Sequence, residues 1–285
     1  MEPSSALEWR SQFNDMETST ENLEHILDAR DFGPQYYPDL FRMLRELELV
    51  FLLPYKPEMM GAEMAVESGD KLPQFAVWGS PKDGRRIPIF SSPTLAADAC
   101  KAIGAQPYEF ALASMPGEGL FQLLSCQKDP IVINPACRTN SVYLDQSAVR
   151  QLGDGSILRG GTDERRDGTV ERLDPADFPT NLVQALFTFL KQRPTVRAAW
   201  ILSEMKPAGS PPGYVFVLSV EGDATVLEQE FRVVASATCP RDLDYGVAVL
   251  NTANAELIQF TAQIMPFYAR PDYVPHAGRK RARRK

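Results

Sequence analysis

Two stretches of regular apolar periodicity, separated by an interval that has none, constrain this chain more than any other feature. Residues 153–178 hold five glycines and many charges of both signs. A segment of that composition buries little and reads as a linker. The sequence on either side is long enough for a domain of ordinary size. We therefore expect a flexible N-terminus at 1–19, an N-terminal domain at 20–152, a linker at 153–178, a C-terminal domain at 179–275 and a basic tail at 276–285.

The periods within each half suggest the elements. Thr18-x-x-Glu21 has the form of a capping box, and Leu23, Ile26 and Leu27 follow at helical spacing. Tyr37, Leu40, Phe41, Leu44, Leu47 and Phe51 recur at three- and four-residue steps, predicting an amphipathic, core-facing helix that stops at Pro54. Residues 72–78 and 86–90 flank turn chemistry at Gly79–Gly84 and read as a β-hairpin, with Pro88 marking an edge or a bulge. Ser92-Pro93 opens a helix to about Ile103. Strands are expected at Glu109–Ala113, Ile131–Ile133 and Val142–Leu144. Helices are expected at Gly119–Leu124 and from an Asp145 cap to about Leu152.

Beyond the linker the pattern gives a helix through Leu182–Leu190 and strands at Val196–Met205 and Tyr214–Val220. A helix through Leu227–Val234, with Asp223 as its cap, a strand at Gly246–Leu250 and a helix through Leu257–Met265 follow. Each half thus runs helix, strand, strand, helix, strand, helix. The expected fold class is α+β, in two domains, each a mixed β-sheet with helices packed on it.

Composition narrows the function classes. The 285 residues are 44% hydrophobic and 24% charged, which excludes a largely disordered chain, a collagen-like fibre or a small disulfide scaffold. No apolar run approaches the roughly 18 residues of a membrane span. The opening MEPSSALEWR lacks the apolar core of a secretory signal, so a cytoplasmic address is expected. Net charge is −7, yet six of the last seven residues, Arg279–Lys285, are basic, so the rest carries −13. An acidic body disfavours nucleic acid except at that tail. The tail itself reads as a solubilising terminus or as a contact for RNA, an anionic membrane or an acidic partner.

Several chemistries lack their residues. There is no P-loop and no GxSxG elbow, and Gly153-x-Gly155 is followed by Leu158 where a dinucleotide fingerprint needs glycine. Histidine occurs only at His25 and His276, and Cys100, Cys126, Cys137 and Cys239 are scattered. No ligand set of zinc type is spaced along the chain, and no metal or cofactor is expected. Asp242-x-Asp244 reads as a solvated turn. Cys137 follows Asn134-Pro135-Ala136 and precedes Arg138, a cation that would favour a thiolate. The alternative is an ordinary half-buried thiol. The aromatic and proline-rich segment Met265–Tyr273 reads as a stretch packed on its own domain rather than a recognition peptide.

Four stretches together resemble the SseB, or enhanced serine sensitivity, family. They are Phe51-Leu52-Leu53-Pro54, Ile87-Pro88-Ile89-Phe90-Ser91-Ser92, Ile131-Val132-Ile133-Asn134-Pro135, and Val196 to Leu202. The resemblance spans roughly Glu21–Tyr268. It departs from the family pattern at Ala136-Cys137, where glycine or another small residue is usual. It implies SseB-like N-terminal and C-terminal domains, a cytoplasmic bacterial protein and no catalytic residues to carry over. The family's name and genetic neighbourhood imply a link to serine sensitivity and a sulfurtransferase-related partner.

The leading functional expectation is a non-enzymatic protein-interaction or regulatory protein, whose two linked modules engage one partner. Its contact surface is expected at Phe90, Ser91, Asn134 and Arg138, on turns held by strands. Replacing Phe90 or Arg138 should then weaken the complex without unfolding the domain. One alternative is a sulfur-transfer or redox accessory protein acting through Cys137. Another is binding of an anionic polymer or membrane surface through Arg279–Lys285. The partner's identity and the oligomeric state are not readable from the sequence.

Overall fold

The computed structural model describes residues 22–30, 32–54, 74–79, 84–105, 109–137, 140–159, 170–174, 177–204, 213–239, 244–250 and 255–274. They fall into two compact units. One is drawn from Met1–Phe32 and Asp39–Ile157, the other from Gly33–Pro38 and Leu158–Lys285. The expected capping box at Thr18 lies outside the described residues, as does the basic tail. Among the described residues no helix is long and apolar enough to cross a membrane.

In the first unit, helix α1 (22–27) buries Leu23 and Leu27. Helix α2 (Tyr37–Glu46) buries Leu40, Phe41 and Leu44, the stripe its spacing requires. The helix was expected to run on to Pro54, but Glu48–Pro54 is strand β1. Five consecutive residues, Leu49 to Leu53, are apolar and buried. A helix would spread them around its circumference, whereas a strand covered on both faces takes an unbroken apolar run. Leu47 and Phe51 matched the helical period by coincidence.

Strands β2 (Ile87–Phe90), β3 (Phe110–Pro116), β4 (Ile131–Ile133) and β5 (Val142–Leu144) complete a five-stranded sheet in the order β3-β1-β2-β4-β5. β1 pairs antiparallel with both β2 and β3, β2 pairs parallel with β4, and β4 antiparallel with β5. The expected hairpin before β2 is reduced to one bridge, Trp78 with Arg86. Pro88 does not mark an edge, because β2 lies inside the sheet. Continuing the β1–β2 register sets Pro88 opposite Leu52. Proline has no N–H to donate, and the Leu52 carbonyl accepts instead from the Ala76 N–H at 2.8 Å.

Three helices join the strands. In α3 (Pro93–Ala102) the Ser92 hydroxyl caps the Leu95 N–H at 3.3 Å, and Pro93 sits where a missing N–H costs nothing. Its Ala96 and Ala99 pack on Val50, Leu52 and Phe90. Helix α4 (Gly117–Leu124) begins so near α2 that a Cβ on Gly117 would overlap the Leu44 carbonyl oxygen. Helix α5 (Gln146–Asp154) is capped by Asp145, which accepts from the Ala148 N–H at 2.8 Å, and closes on Gly155 at φ 75°.

The second unit holds β6 (Val170–Arg172), α6 (Thr180–Lys191), β7 (Val196–Glu204), β8 (Gly213–Val220), α7 (Thr225–Thr238), β9 (Asp244–Val249), α8 (Ala255–Thr261) and β10 (Tyr268–Ala269). The sheet order is β10-β7-β8-β9, with β6 also on β7. β7 and β8 are antiparallel, β8 and β9 parallel. The interval read as a linker thus contains one strand of this sheet. Asp223 serves α7 from one residue before its N-cap, accepting from the Thr225 N–H at 2.9 Å and its hydroxyl at 2.7 Å.

Alternation along β7 divides the core. Ala199 and Ile201 pack with Phe216, Leu218, Phe231 of α7 and Phe189 of α6. Ala198, Trp200 and Leu202 pack with Leu257 and Phe260 of α8, Ile264 and Tyr273. The final helix ends at Thr261, short of its expected end, and the chain turns back to pair as β10. Arg270 and Arg197 bind Glu221 at 3.0 and 2.7 Å, and these hydrogen bonds hold its carboxyl down at about 2. The segment to Tyr273 is therefore docked on its own domain, as expected of a stretch that the final helix leads directly into.

Both units share one arrangement. An antiparallel pair (β1-β2, β7-β8) is extended by a third strand parallel to its second member (β4, β9), and further strands add beyond the first. The α+β class with two mixed sheets is the observed one.

Candidate functional site

β2 and β4 run parallel, so both chains leave the sheet at the same end. Connections at the carboxyl ends of parallel strands are where such sheets most often carry function. Phe90-Ser91 leaves β2 there and Asn134 leaves β4. Three of the four residues expected from the sequence are therefore brought together, and Arg138 lies outside the described residues.

Their orientation differs from that expectation. Phe90 and Asn134 are 0% exposed and Ser91 3%. The Phe90 ring meets Trp78 edge-on, with centroids 5.7 Å apart, inside the cluster under α3. The Asn134 side chain accepts from the Ser91 N–H at 2.9 Å and donates through Nδ2 to the Ser91 hydroxyl at 3.0 Å. That hydroxyl donates onward to Glu24 of α1 at 3.1 Å. The Asn134 N–H reaches the Ile89 carbonyl at 2.8 Å, and its carbonyl accepts from the Ser141 hydroxyl at 3.0 Å. Asn140 ties the same region to α1 through the Leu27 carbonyl at 2.6 Å. These polar groups hold the strand ends and α1 together. Ser91 and Asn134 are not aimed at solvent, and replacing Phe90 cannot leave the domain untouched.

The turn itself is strained. Asn134 has φ 48° and Ala136 φ 56°, both left-handed. Asn tolerates that region, whereas an alanine Cβ there costs roughly 1 kcal/mol.

Cys137 ends the turn. Its thiol donates to the Pro135 carbonyl at 3.4 Å and the Leu95 carbonyl at 3.8 Å. Burial, then the carboxylates of Glu24 and Asp98, push it up from an ordinary 9.0 to about 11. This opposes the thiolate that the redox reading requires. We expect Cys137 to alkylate slowly at neutral pH, with a rate still climbing towards pH 11, while the exposed Cys126 reacts first. A Cys137 rate that levels off below pH 8 would contradict this environment. The linkage has a definite sign: the unfolded thiol loses its proton near 9.0 while the folded one keeps it to about 11, so this group lowers stability only as pH rises above 9.0.

Glu24, Asn140 and Ser141 escaped the sequence reading because nothing local marks them. Glu24 acts across 67 residues of chain. A second feature also escaped it. Tyr143 is 63% exposed on the edge strand β5, between buried Val142 and Leu144. The Arg86 guanidinium lies 4.7 Å from its ring centroid and approaches its hydroxyl at 3.4 Å. The apolar, aromatic, apolar alternation of Val142-Tyr143-Leu144 was its only available signal.

Comparison with known proteins bears on the second unit. Residues 165–270 match the family model described as the SseB protein C-terminal domain. No curated protein and no solved structure matches the chain. The matched span takes in every strand of the second sheet, from β6 to β10. Residues 165–270 are therefore similar to the SseB protein C-terminal domain, which supports the SseB resemblance for the second unit.

Proposed function

We propose that this chain is an SseB family member acting as a non-enzymatic cytoplasmic interaction or regulatory protein, and that its first unit is the N-terminal counterpart of the SseB C-terminal domain. The observation that carries the reading is the exposed Tyr143–Arg86 pair on the β5 edge. Tyrosine and arginine are the side chains that concentrate binding energy at protein interfaces, and here each pre-orients the other. In this reading Phe90, Ser91 and Asn134 act from within the fold, and Arg138 belongs to the contact. A bacterial partner connected with serine or sulfur metabolism fits the family's name.

The test is a crosslinked pull-down from the native host, comparing the full chain with Tyr143→Ala and Arg138→Ala. A protein recovered by the wild type and reduced about tenfold or more by either variant, at an unchanged melting temperature, is the expected result. Equal recovery by all three removes the assignment. The readings through Cys137 and Arg279–Lys285 have less support: the first faces a protonated thiol, and the second rests on composition.

A further inference from the structure

We propose that β3 is the edge through which two copies of this chain join, strand against strand, about a two-fold axis at Ala113. β3 closes one end of the first sheet, and only β1 pairs with it among the described residues. It is seven residues long, against three for β5 at the opposite end. Proteins guard long edges with charge, interior proline or bulges, since unpaired backbone groups recruit another strand. Phe110 to Met115 carries no charge and no proline, and its register with β1 is unbroken. Leu112 stands 48% exposed on it.

The occupant follows from the sequence of the strand. A two-fold at Ala113 sets Phe110 opposite Pro116, Ala111 opposite Met115, Leu112 opposite Ser114, and Ala113 opposite its own copy. Across the Ala111 and Leu112 pairs a large side chain meets a small one, which suits close cross-strand packing. Any charge within the strand would oppose a charge of equal sign near the axis, and none is there. Glu109 precedes the paired span, and Glu48 is engaged by the Ser114 hydroxyl at 2.5 Å. The chain, at −7 overall, repels its copy elsewhere. Pairing at this neutral edge should therefore strengthen as salt screens that repulsion.

Sedimentation of the full chain over a concentration series tests the proposal. The wild type should show a concentration-dependent dimer, favoured by salt. Leu112→Lys and Ser114→Lys, both at exposed positions, should sediment as monomers at the same concentrations, while Leu112→Ala retains association. Ala113→Cys should form an intermolecular disulfide through position 113, because facing residues of antiparallel strands have Cα atoms about 4.5–5.5 Å apart. A wild-type monomer at the highest soluble concentration overturns the proposal. So does a dimer that both lysine variants leave intact, or crosslinking only through other cysteines. Since no partner protein enters this experiment, its outcome is separate from that of the pull-down.

Discussion

Phe90→Ala is expected to destabilise the first unit by about 3–5 kcal/mol, the usual cost of emptying a fully packed aromatic site. The ring is 0% exposed and is enclosed by Val50, Leu52, Ala76, Ala96 and Ala99, with Trp78 against its edge. Truncation removes its apolar contacts and leaves a cavity between β2 and α3, because neighbours on a sheet and a capped helix collapse only partly. Phe90→Leu, which refills most of that volume, should cost distinctly less. Denaturant unfolding followed through near-ultraviolet signals of the first unit checks both. If the alanine variant unfolds at the wild-type midpoint, the burial described for this ring is wrong. The same argument bears on function: weakened partner binding by Phe90→Ala would reflect a damaged fold, so binding experiments belong at Tyr143 and Arg138.

Trp200→Ala should have an equally large effect on the second unit, again about 3–5 kcal/mol. Trp200 lies on β7 among Ala198, Leu202, Val217 and the residues of α8, and Tyr273 meets it edge-on at 6.0 Å. Its Nε1–H also donates to the Ile264 carbonyl at 3.2 Å, which fixes the turn after α8. Trp200→Phe separates the two contributions. It keeps much of the packing and abandons one acceptor, for a cost of about 1–3 kcal/mol if that carbonyl stays dry. Amide exchange should show α8 and β10 losing protection first in the phenylalanine variant, and all of the second sheet losing it in the alanine variant. Protection unchanged at α8 and β10 in both would mean that Trp200 does not anchor that layer.

The local signals read correctly share a physical origin. Ser92-Pro93, Asp145 and the run Ile131–Ile133 act on their own neighbours in sequence. A cap needs only a side-chain oxygen within three residues of an orphan N–H, and a short buried strand needs only apolar residues bounded by turn formers. The α+β class followed from the order of such elements. The failures share an origin too. Glu48–Pro54 reads as helix because a period of 3.6 fits sparse data, and only the neighbours β2 and β3 make it a strand. Pro88 reads as an edge or a bulge because its missing donor is visible in sequence. The Ala76 N–H that replaces it comes from 12 residues away and is not visible.

The candidate site divides in the same way. That a strand ends at Phe90, and that Asn134-Pro135 ends the buried strand before it, was legible from their composition. Whether Phe90, Ser91 and Asn134 face solvent or the interior was not, because in a sheet that is decided by which layers cover it. Cys137 shows this most directly. Beside Arg138 in sequence it reads as a thiolate candidate, yet burial first, and then Glu24 and Asp98 brought near by folding, hold it protonated. By itself the sequence determined the caps, the short apolar strands, the charge asymmetry and the α+β class, since each depends on contacts within a turn or two. Tertiary structure alone decided the strand order, the inward aim of the site residues and the exposure of Tyr143 and Leu112. Those depend on segments tens of residues apart, whose meeting is governed by the burial of the whole unit.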